Sequence, residues 1–203
     1  MQDAVRLLML LRHAGDTALP EAPPDGAIAC VQGEQRLQAM DLWLRNPDYL
    51  AEELLDLYRA APDATLAEAA RRIVCDEEPD LRTYPMLRYR YGAWERLDDS
   101  MGLLRTYGLA IDKRRGAQLL GRRDFFLLRA GYAAADDLVG EVPELAWYAD
   151  RAQLVRRVAG TTGGTELKLR QKLQQEYVHT DWLTPIGSIR ARVLRRLEEL
   201  HDD

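Results

Sequence analysis

Apolar residues recur at helical spacing over most of this chain. Leu37, Met40 and Leu44, for example, share one face of a helix predicted over residues 33–45. Similar stripes predict the other helices, which cover residues 5–12, 48–60, 65–74, 94–107, 131–139, 143–158, 165–178 and 185–200. Thr65 is expected to cap its helix, because Glu68 follows at the capping-box spacing. The pattern therefore predicts a mainly helical protein.

Short strand-like segments interrupt the helices in the middle of the chain. Residues 87–91 alternate tyrosine with arginine, which predicts a strand that ends at the following glycine and carries the two residue types on opposite faces. Residues 109–111 and 125–128 predict two more strands, joined by a polar and basic connection over residues 112–123. Residues 15–32 include a Pro-rich stretch and are predicted as a long loop. The fold class that follows is mainly α, of the α+β type.

The order of these elements is that of a winged helix-turn-helix. An amphipathic helix ends at Gly108, where a C-cap glycine belongs, and two strands follow as a basic hairpin, or wing. A short helix comes after the second strand. Two such strands can pair as a hairpin, and the basic residues at both ends of the polar segment then lie on its two arms.

Four short motifs carry a family resemblance: Gly33-x-x-Arg36-Leu37-Gln38, Tyr89-x-Tyr91-Gly92, Tyr107-Gly108-Leu109 and Phe125-x-Leu127-x-x-x-Gly131. Through them, residues 5–140 resemble a group of bacterial and phage winged-helix proteins that includes the SocA-type antitoxins and their YwgA-like relatives. The chain departs from that group where Ala93 replaces proline, Trp94 replaces a second aromatic residue and Ala39 replaces lysine. The resemblance implies a winged helix with extra N- and C-terminal helices.

The length of 203 residues suits one compact domain or two small ones. The pattern suggests a helical part over residues 1–80, a winged-helix core over 81–140 and a helical part over 141–203, forming one continuous unit. Trp147 and Trp182 are either core residues or interface anchors. The last helix carries an apolar stripe that either completes the core or forms a dimer seam, and its members are Ile186, Ile189, Val193, Leu197 and Leu200.

The charge is unevenly distributed along the chain. The formal net charge is -5, yet residues 81–129 hold eleven basic and only five acidic side chains. A basic patch attracts phosphates, whereas the acidic remainder argues against non-specific coating of nucleic acid. The alternative explanation is a solvated, charged hairpin tip. The predicted DNA-binding residues are Lys113, Arg114, Arg115, Arg122 and Arg123 on the wing, extended by Arg88, Arg90 and Arg96.

The helix over residues 94–107 is a poor match to a DNA-reading helix. Its predicted outer face carries Glu95 and Asp99, with Arg96 only at the edge. Carboxylates are repelled by phosphates, although they can accept a hydrogen bond from cytosine N4. The sequence therefore assigns the phosphate contacts to the wing, while residues of the helix over 94–107 would face the groove.

Signals for catalysis or metal binding are weak. The three histidines lack metal-ligand spacing, and neither serine lies in a nucleophile motif. Asp80 with Glu166 and Lys168 offers a faint match to a metal nuclease. Residues 160–165 precede a helix and either cradle a phosphate or form a simple loop capped by Thr165. We therefore expect no catalytic residue, no metal and no cofactor.

The remaining composition bears on location. Two cysteines without paired spacing, no basic leader and no long apolar run predict a reduced, cytoplasmic protein that does not cross a membrane. The leading hypothesis is a non-enzymatic, DNA-associated regulatory protein that is dimeric and contacts DNA through its wing. The alternative is a protein-interaction module, such as an antitoxin-like, defence-system or SMC-associated accessory protein, whose acidic charge suits a basic partner.

Overall fold

The computed structural model of the chain describes residues 1–75, 87–89, 92–93, 95–115 and 121–202. It is mainly helical with a small antiparallel sheet, so the predicted α+β class is confirmed. The elements in chain order are α1 (Gln2–Ala14), β1 (Ala27–Gln32), α2 (Glu34–Arg45), α3 (Pro47–Ala60), α4 (Ala64–Cys75), β2 (Arg88–Tyr89), β3 (Gly92–Ala93), α5 (Asp98–Thr106), β4 (Ala110–Arg115), β5 (Arg122–Leu128), α6 (Arg129–Glu141), α7 (Ala146–Ala159), α8 (Gly164–Lys172), α9 (Gln175–His179) and α10 (Arg190–Asp202).

The chain divides into two compact units, and each combines two separate stretches of sequence. The first unit contains Met1–Asp41 and Glu95–Lys168, and the second contains Leu42–Trp94 and Leu169–Asp203. The chain therefore leaves the first unit after Asp41 and returns to it at Glu95. This division differs from the one suggested by the sequence pattern, in which the parts over residues 1–80, 81–140 and 141–203 follow one another along the chain.

The sheet of the first unit has the strand order β1–β5–β4, and all its neighbours are antiparallel. Both strands predicted after α5 are confirmed, and each extends further toward the hairpin end than predicted. The loop predicted over residues 15–32 is wrong for its last part, which forms β1 and pairs with β5. Backbone hydrogen bonds of 2.8 and 2.9 Å between Asp16 and Cys30 also pair the start of that segment with the strand.

Helix α1 and strand β5 form the centre of the first unit. Residues 7–11 of α1 are fully buried, because α1 contacts α5, α6, α7 and the sheet. Phe125 and Phe126 point to opposite faces of β5 and are both buried, as expected for a strand covered on two sides. Gly131 lets α6 pass close to the chain before β4, since a Cβ there would lie 2.1 Å from the Leu109 carbonyl oxygen.

Several predicted helix boundaries need correction. The helix predicted over residues 165–178 is two helices, α8 and α9, and the last helix begins at Arg190 instead of residue 185. The helix predicted over residues 143–158 starts with a 3-10 turn before α7. Thr65 does not cap α4; the Asp63 carboxylate accepts hydrogen bonds from the Thr65 N–H and hydroxyl, 3.0 and 2.6 Å away. The aspartate two residues before Thr65 thus takes the capping position.

The second unit packs α3 against α4 and α10. Four members of the predicted C-terminal stripe are buried, namely Ile186, Ile189, Val193 and Leu197, so they belong to the protein's own core. Asp48 fixes the start of α10, because its Oδ2 accepts bonds of 2.7 Å from both the Ser188 hydroxyl and the Ile189 N–H. Arg196 adds ion pairs of 2.9 Å to Glu52 and 2.8 Å to Asp56.

The strand predicted over residues 87–91 is described at residues 88–89. Residues 88–89 pair with residues 92–93, so Gly92 opens a second short strand instead of ending the first. Arg90 and Tyr91 lie outside the described residues. In the same unit, the side chains of Trp182 and Leu183 are 61% and 62% exposed, so Trp182 is not a core residue.

Candidate functional site: the basic hairpin

The site is the hairpin of β4 and β5, which follows directly on α5. Gly108 has φ 66°, a left-handed conformation that suits glycine, and it turns the chain out of the helix. The N–H of Leu109 then donates a bond of 2.8 Å to the Leu104 carbonyl. The predicted glycine at the end of this helix thus fixes where the hairpin begins.

The register of the hairpin places its charged side chains on two faces. Lys113 lies opposite Asp124, and Arg114 lies opposite Arg123. Directly opposed residues share a face and consecutive residues alternate, so Lys113 and Arg114 project from opposite faces. The prediction that the basic residues lie on two arms of one hairpin is confirmed by this register.

Arg123 points inward and is held by carboxylates. Its side chain is only 10% exposed, and its nitrogens lie 2.8 Å from Asp112 and 3.0 Å from Asp98. Burial opposes the charge of this guanidinium, yet the bonds to Asp112 keep its pKa above the ordinary value. Burial would likewise raise the pKa of Asp112, but hydrogen bonds and charge from Arg123 and then Arg105 lower it. Arg123 therefore serves the fold.

Arg122 is shared between the fold and the surface. Its Nε and Nη2 donate bonds of 2.7 and 3.1 Å to Asp124, and Nη2 also reaches Gln32 at 2.8 Å. Asp124 is fully buried and additionally accepts the Gly33 N–H at 2.9 Å. The side chain of Arg122 is still 52% exposed. Part of its charge is therefore offset by a fixed carboxylate.

Lys113 and Arg114 are the free cations of the hairpin. Both are exposed, and neither has a hydrogen-bond or ion-pair partner among the residues that the structure describes. Arg115, the next residue, is half-buried. The structure thus divides the five predicted wing cations into two free ones, one partly neutralised and two turned toward the protein.

Two of the three cations predicted to extend the patch, Arg88 and Arg96, lie among the described residues. Arg88 belongs to the second unit, where its Nη1 donates to the carbonyls of Val178, at 2.6 Å, and Thr180. Arg96 is 70% exposed and lies 3.6 Å from Asp98. Arg90 falls outside the described residues. Arg88 is thus engaged with backbone carbonyls and Arg96 with a carboxylate.

Helix α5 presents carboxylates at its N-terminal end. Asp98 and Asp99 are exposed, while Met101 and Leu104 face the core. Trp94, where the predicted helix began, lies outside the described residues. Arg105, near the C-terminal end, is bound to Asp112. The exposed side of the helix is therefore acidic, as the sequence pattern indicated.

The Gly33-x-x-Arg36-Leu37-Gln38 motif holds the first unit together. Gly33 has φ 92°, which favours glycine, and its N–H binds Asp124. Arg36 is buried and donates to the carbonyls of Gly160, at 2.7 Å, and Thr162. Gln38 exchanges two hydrogen bonds with the backbone of Glu95, at 2.6 and 3.0 Å. The motif thus joins three distant segments.

Arg36 also decides between the two explanations of the loop over residues 160–165. The loop turns its carbonyl oxygens toward a guanidinium, and such a lining repels a phosphate. The Gly164 backbone packs so closely on α2 that a Cβ would lie 2.4 Å from the Arg36 nitrogen. The loop therefore binds a cation of its own chain.

Two negative observations concern the described residues alone. They contain no group of three His, Cys, Asp or Glu side chains placed to hold a metal ion. Glu166 is exposed and Lys168 is buried, while Asp80 falls outside the described part. Within the same part of the chain, no helix has both the length and the apolar character needed to cross a membrane.

Comparison with protein-family models, characterised proteins and solved structures finds no match for this chain. The function is therefore argued from the geometry of the hairpin and its surroundings.

Proposed function

We propose that the first unit is a winged-helix module of a non-enzymatic, DNA-associated regulatory protein, and that the β4–β5 hairpin is the wing that binds DNA. The observation that carries the proposal is the pair of free, exposed cations, Lys113 and Arg114, at this hairpin. Cations without a carboxylate partner are the side chains that can neutralise phosphates.

The order of elements in the first unit supports the proposal. A helix, a strand and a second helix (α1, β1, α2) precede α5 and the hairpin, and β1 completes the sheet beside β5. A winged helix uses such a third strand to anchor its wing on the helices. Gly33 and Asp124 make that anchor rigid, because their 2.9 Å hydrogen bond ties the end of β1 to β5.

The ion pairs within the hairpin reduce the number of residues that are expected to contact DNA. Arg123 is taken up by Asp112 and Asp98, so its removal would damage the fold before it changed DNA affinity. The expected phosphate contacts are Lys113 and Arg114, with a smaller share from the half-exposed Arg122. The proposed site is therefore smaller than the one that the sequence suggested.

The test is fluorescence anisotropy of a labelled duplex over a series of salt concentrations. We compare the wild-type chain with the double variant Lys113→Ala/Arg114→Ala. Each phosphate neutralised contributes about 0.9 to the slope of log K against log salt, so the double variant should flatten the slope by about 2. A circular dichroism spectrum equal to that of the wild type confirms that both chains are folded.

The matched control is Arg129→Ala/Arg156→Ala, which removes the same charge from two exposed positions on α6 and α7. We expect this control to retain most of the wild-type slope. The proposal fails if the wild type does not bind the duplex at low salt. It also fails if the hairpin and control variants lose affinity equally, because net charge alone would then explain the binding.

A second candidate function is a protein-interaction module, favoured by the exposed carboxylates Asp98 and Asp99 at the start of α5. An acidic surface suits a basic partner. The test of this second function is the same anisotropy measurement with a fluorescent oligolysine peptide in place of the duplex. Binding of the peptide that is lost in Asp98→Asn/Asp99→Asn, together with no binding of DNA, would favour this function over the first.

A further inference from the structure

We infer that the hairpin binds double-stranded DNA of any sequence and that α5 takes no part in reading the bases. This inference rests on the proposed function and names its ligand class, the phosphate backbone of a duplex. It departs from the arrangement in which the helix before a wing enters the major groove with basic or amide side chains.

Helix α5 offers carboxylates to a duplex at its N-terminal end. A helix that reads bases presents its N-terminal residues to the groove, and here those residues are Asp98 and Asp99. Asp98 is 56% exposed and already lies 3.0 Å from Arg123 and 3.6 Å from Arg96. Asp99 has no hydrogen-bond or ion-pair partner in the described part of the chain. A groove lined by phosphates would therefore meet an uncompensated carboxylate.

The remaining exposed side of α5 lacks side chains that can read bases. Gly102 has no side chain, and the Thr106 hydroxyl already donates 2.9 Å to the Gly102 carbonyl. Arg105 binds Asp112 at the root of the hairpin. Among the described residues of this helix, no arginine or amide is left to form the bidentate contacts that identify guanine or adenine.

The two free cations lie on the two faces of the hairpin. Lys113 and Arg114 project from opposite faces of a two-stranded ribbon, as the pairing register requires. Two cations on opposite faces reach two separate rows of phosphates, and this contact carries no base information. The same hairpin offers carboxylates only where they are bound, at Asp112 and Asp124. Affinity therefore comes from the backbone.

Two measurements by fluorescence anisotropy at low salt test the inference. In the first, three duplexes of equal length and unrelated sequence are titrated with wild-type protein, and their affinities should agree within about threefold. In the second, Asp99→Asn is compared with the wild type. Removing a unit charge about 10 Å from a phosphate should raise the affinity about twofold in water.

The control is Asp137→Asn, an equal change of charge at an exposed position of α6. We expect Asp99→Asn to gain more affinity than this control. A preference of tenfold or more for one duplex overturns the inference, and so does a loss of affinity in Asp99→Asn, because Asp99 would then contact a base. In both cases the wing proposal stands. Absence of binding to all three duplexes instead refutes the proposed function itself.

Discussion

Replacing Arg36 with alanine should open the loop over residues 160–165. The guanidinium of Arg36 is the only described group that reaches the carbonyls of both Gly160 and Thr162, and the residue is 4% exposed. Alanine leaves both oxygens without their donor. It also removes the longer ion pair of 3.6 Å to Asp16, whose side chain is 36% exposed.

The magnitude follows from these contacts. A hydrogen bond to a charged group contributes about 1.5–3 kcal/mol, and a half-exposed ion pair adds at most about 1 kcal/mol. With two such hydrogen bonds and one ion pair, Arg36→Ala should lower the local free energy of opening by about 3–7 kcal/mol. Arg36→Lys keeps the charge but loses the planar fork that serves two carbonyls, so it should cost about half as much.

Hydrogen exchange is the appropriate assay, since a chain with two compact units need not unfold in one transition. The reporters are the amides of Thr162 and Leu167, which bond to the carbonyls of Ala159 and Gly163. A loss of about 3 kcal/mol accelerates their exchange roughly a hundredfold. Gln35→Ala is the matched control, because alanine keeps the Cβ that lies close to Gly164 and removes an exposed bond of 3.0 Å to Thr165. Equal exchange rates in the two variants would refute the reasoning.

Three further predictions concern single side chains. Asp48→Ala should destabilise the second unit by about 2–4 kcal/mol in urea, since it frees the Ser188 hydroxyl and the Ile189 N–H, whereas Asp63→Ala, which removes exposed hydrogen bonds to Thr65, should cost less. Gly33→Ala should cost about 1–2 kcal/mol through its positive φ alone, and Gly163→Ala, with open space around it, should cost less. The lowered pKa of Asp112 stabilises the fold above the ordinary aspartate value, and that stability is lost as the pH falls through the lowered pKa; Asp112→Asn should remove this acid dependence in a pH series of urea titrations.

The helices were predictable because their apolar stripes are local. Leu37, Met40 and Leu44 are all buried, as their spacing indicated. The break between α8 and α9 was not predictable, because no glycine or proline marks it. There the Gln174 and Glu176 side chains bind Arg192, on a helix that follows later in the chain. A contact between distant segments overrides local helix propensity at this point.

Strand β1 was missed for a similar reason. Its six residues follow a Pro-rich stretch, and its partner β5 lies almost a hundred residues further along the chain. The apolar run from Ala27 to Val31 was the signal that could have found it. A short strand becomes stable only in its sheet, so its own sequence carries little information.

The candidate site was predicted in outline and corrected in detail. Sequence located the basic hairpin and the acidic side of α5, and both are present. Counting charges could not tell which arginines were free. The alternation of the strands contained part of the answer, since Arg122 and Asp124 share a face at i, i+2 and form an ion pair. The bond of Arg123 to Asp98 required knowledge of how α5 packs on the sheet.

The paired hydrogen bonds between Gln38 and the backbone of Glu95 have a consequence for how this chain can change during evolution. They hold together the two flanks of residues 42–94, the stretch of chain that leaves the first unit and returns to it. Closing a loop twice as long costs only about 0.6 kcal/mol more. Homologues should therefore tolerate insertions in the connections between the helices of that stretch, whereas α3 and α4, which pack against each other in the second unit, should keep their lengths.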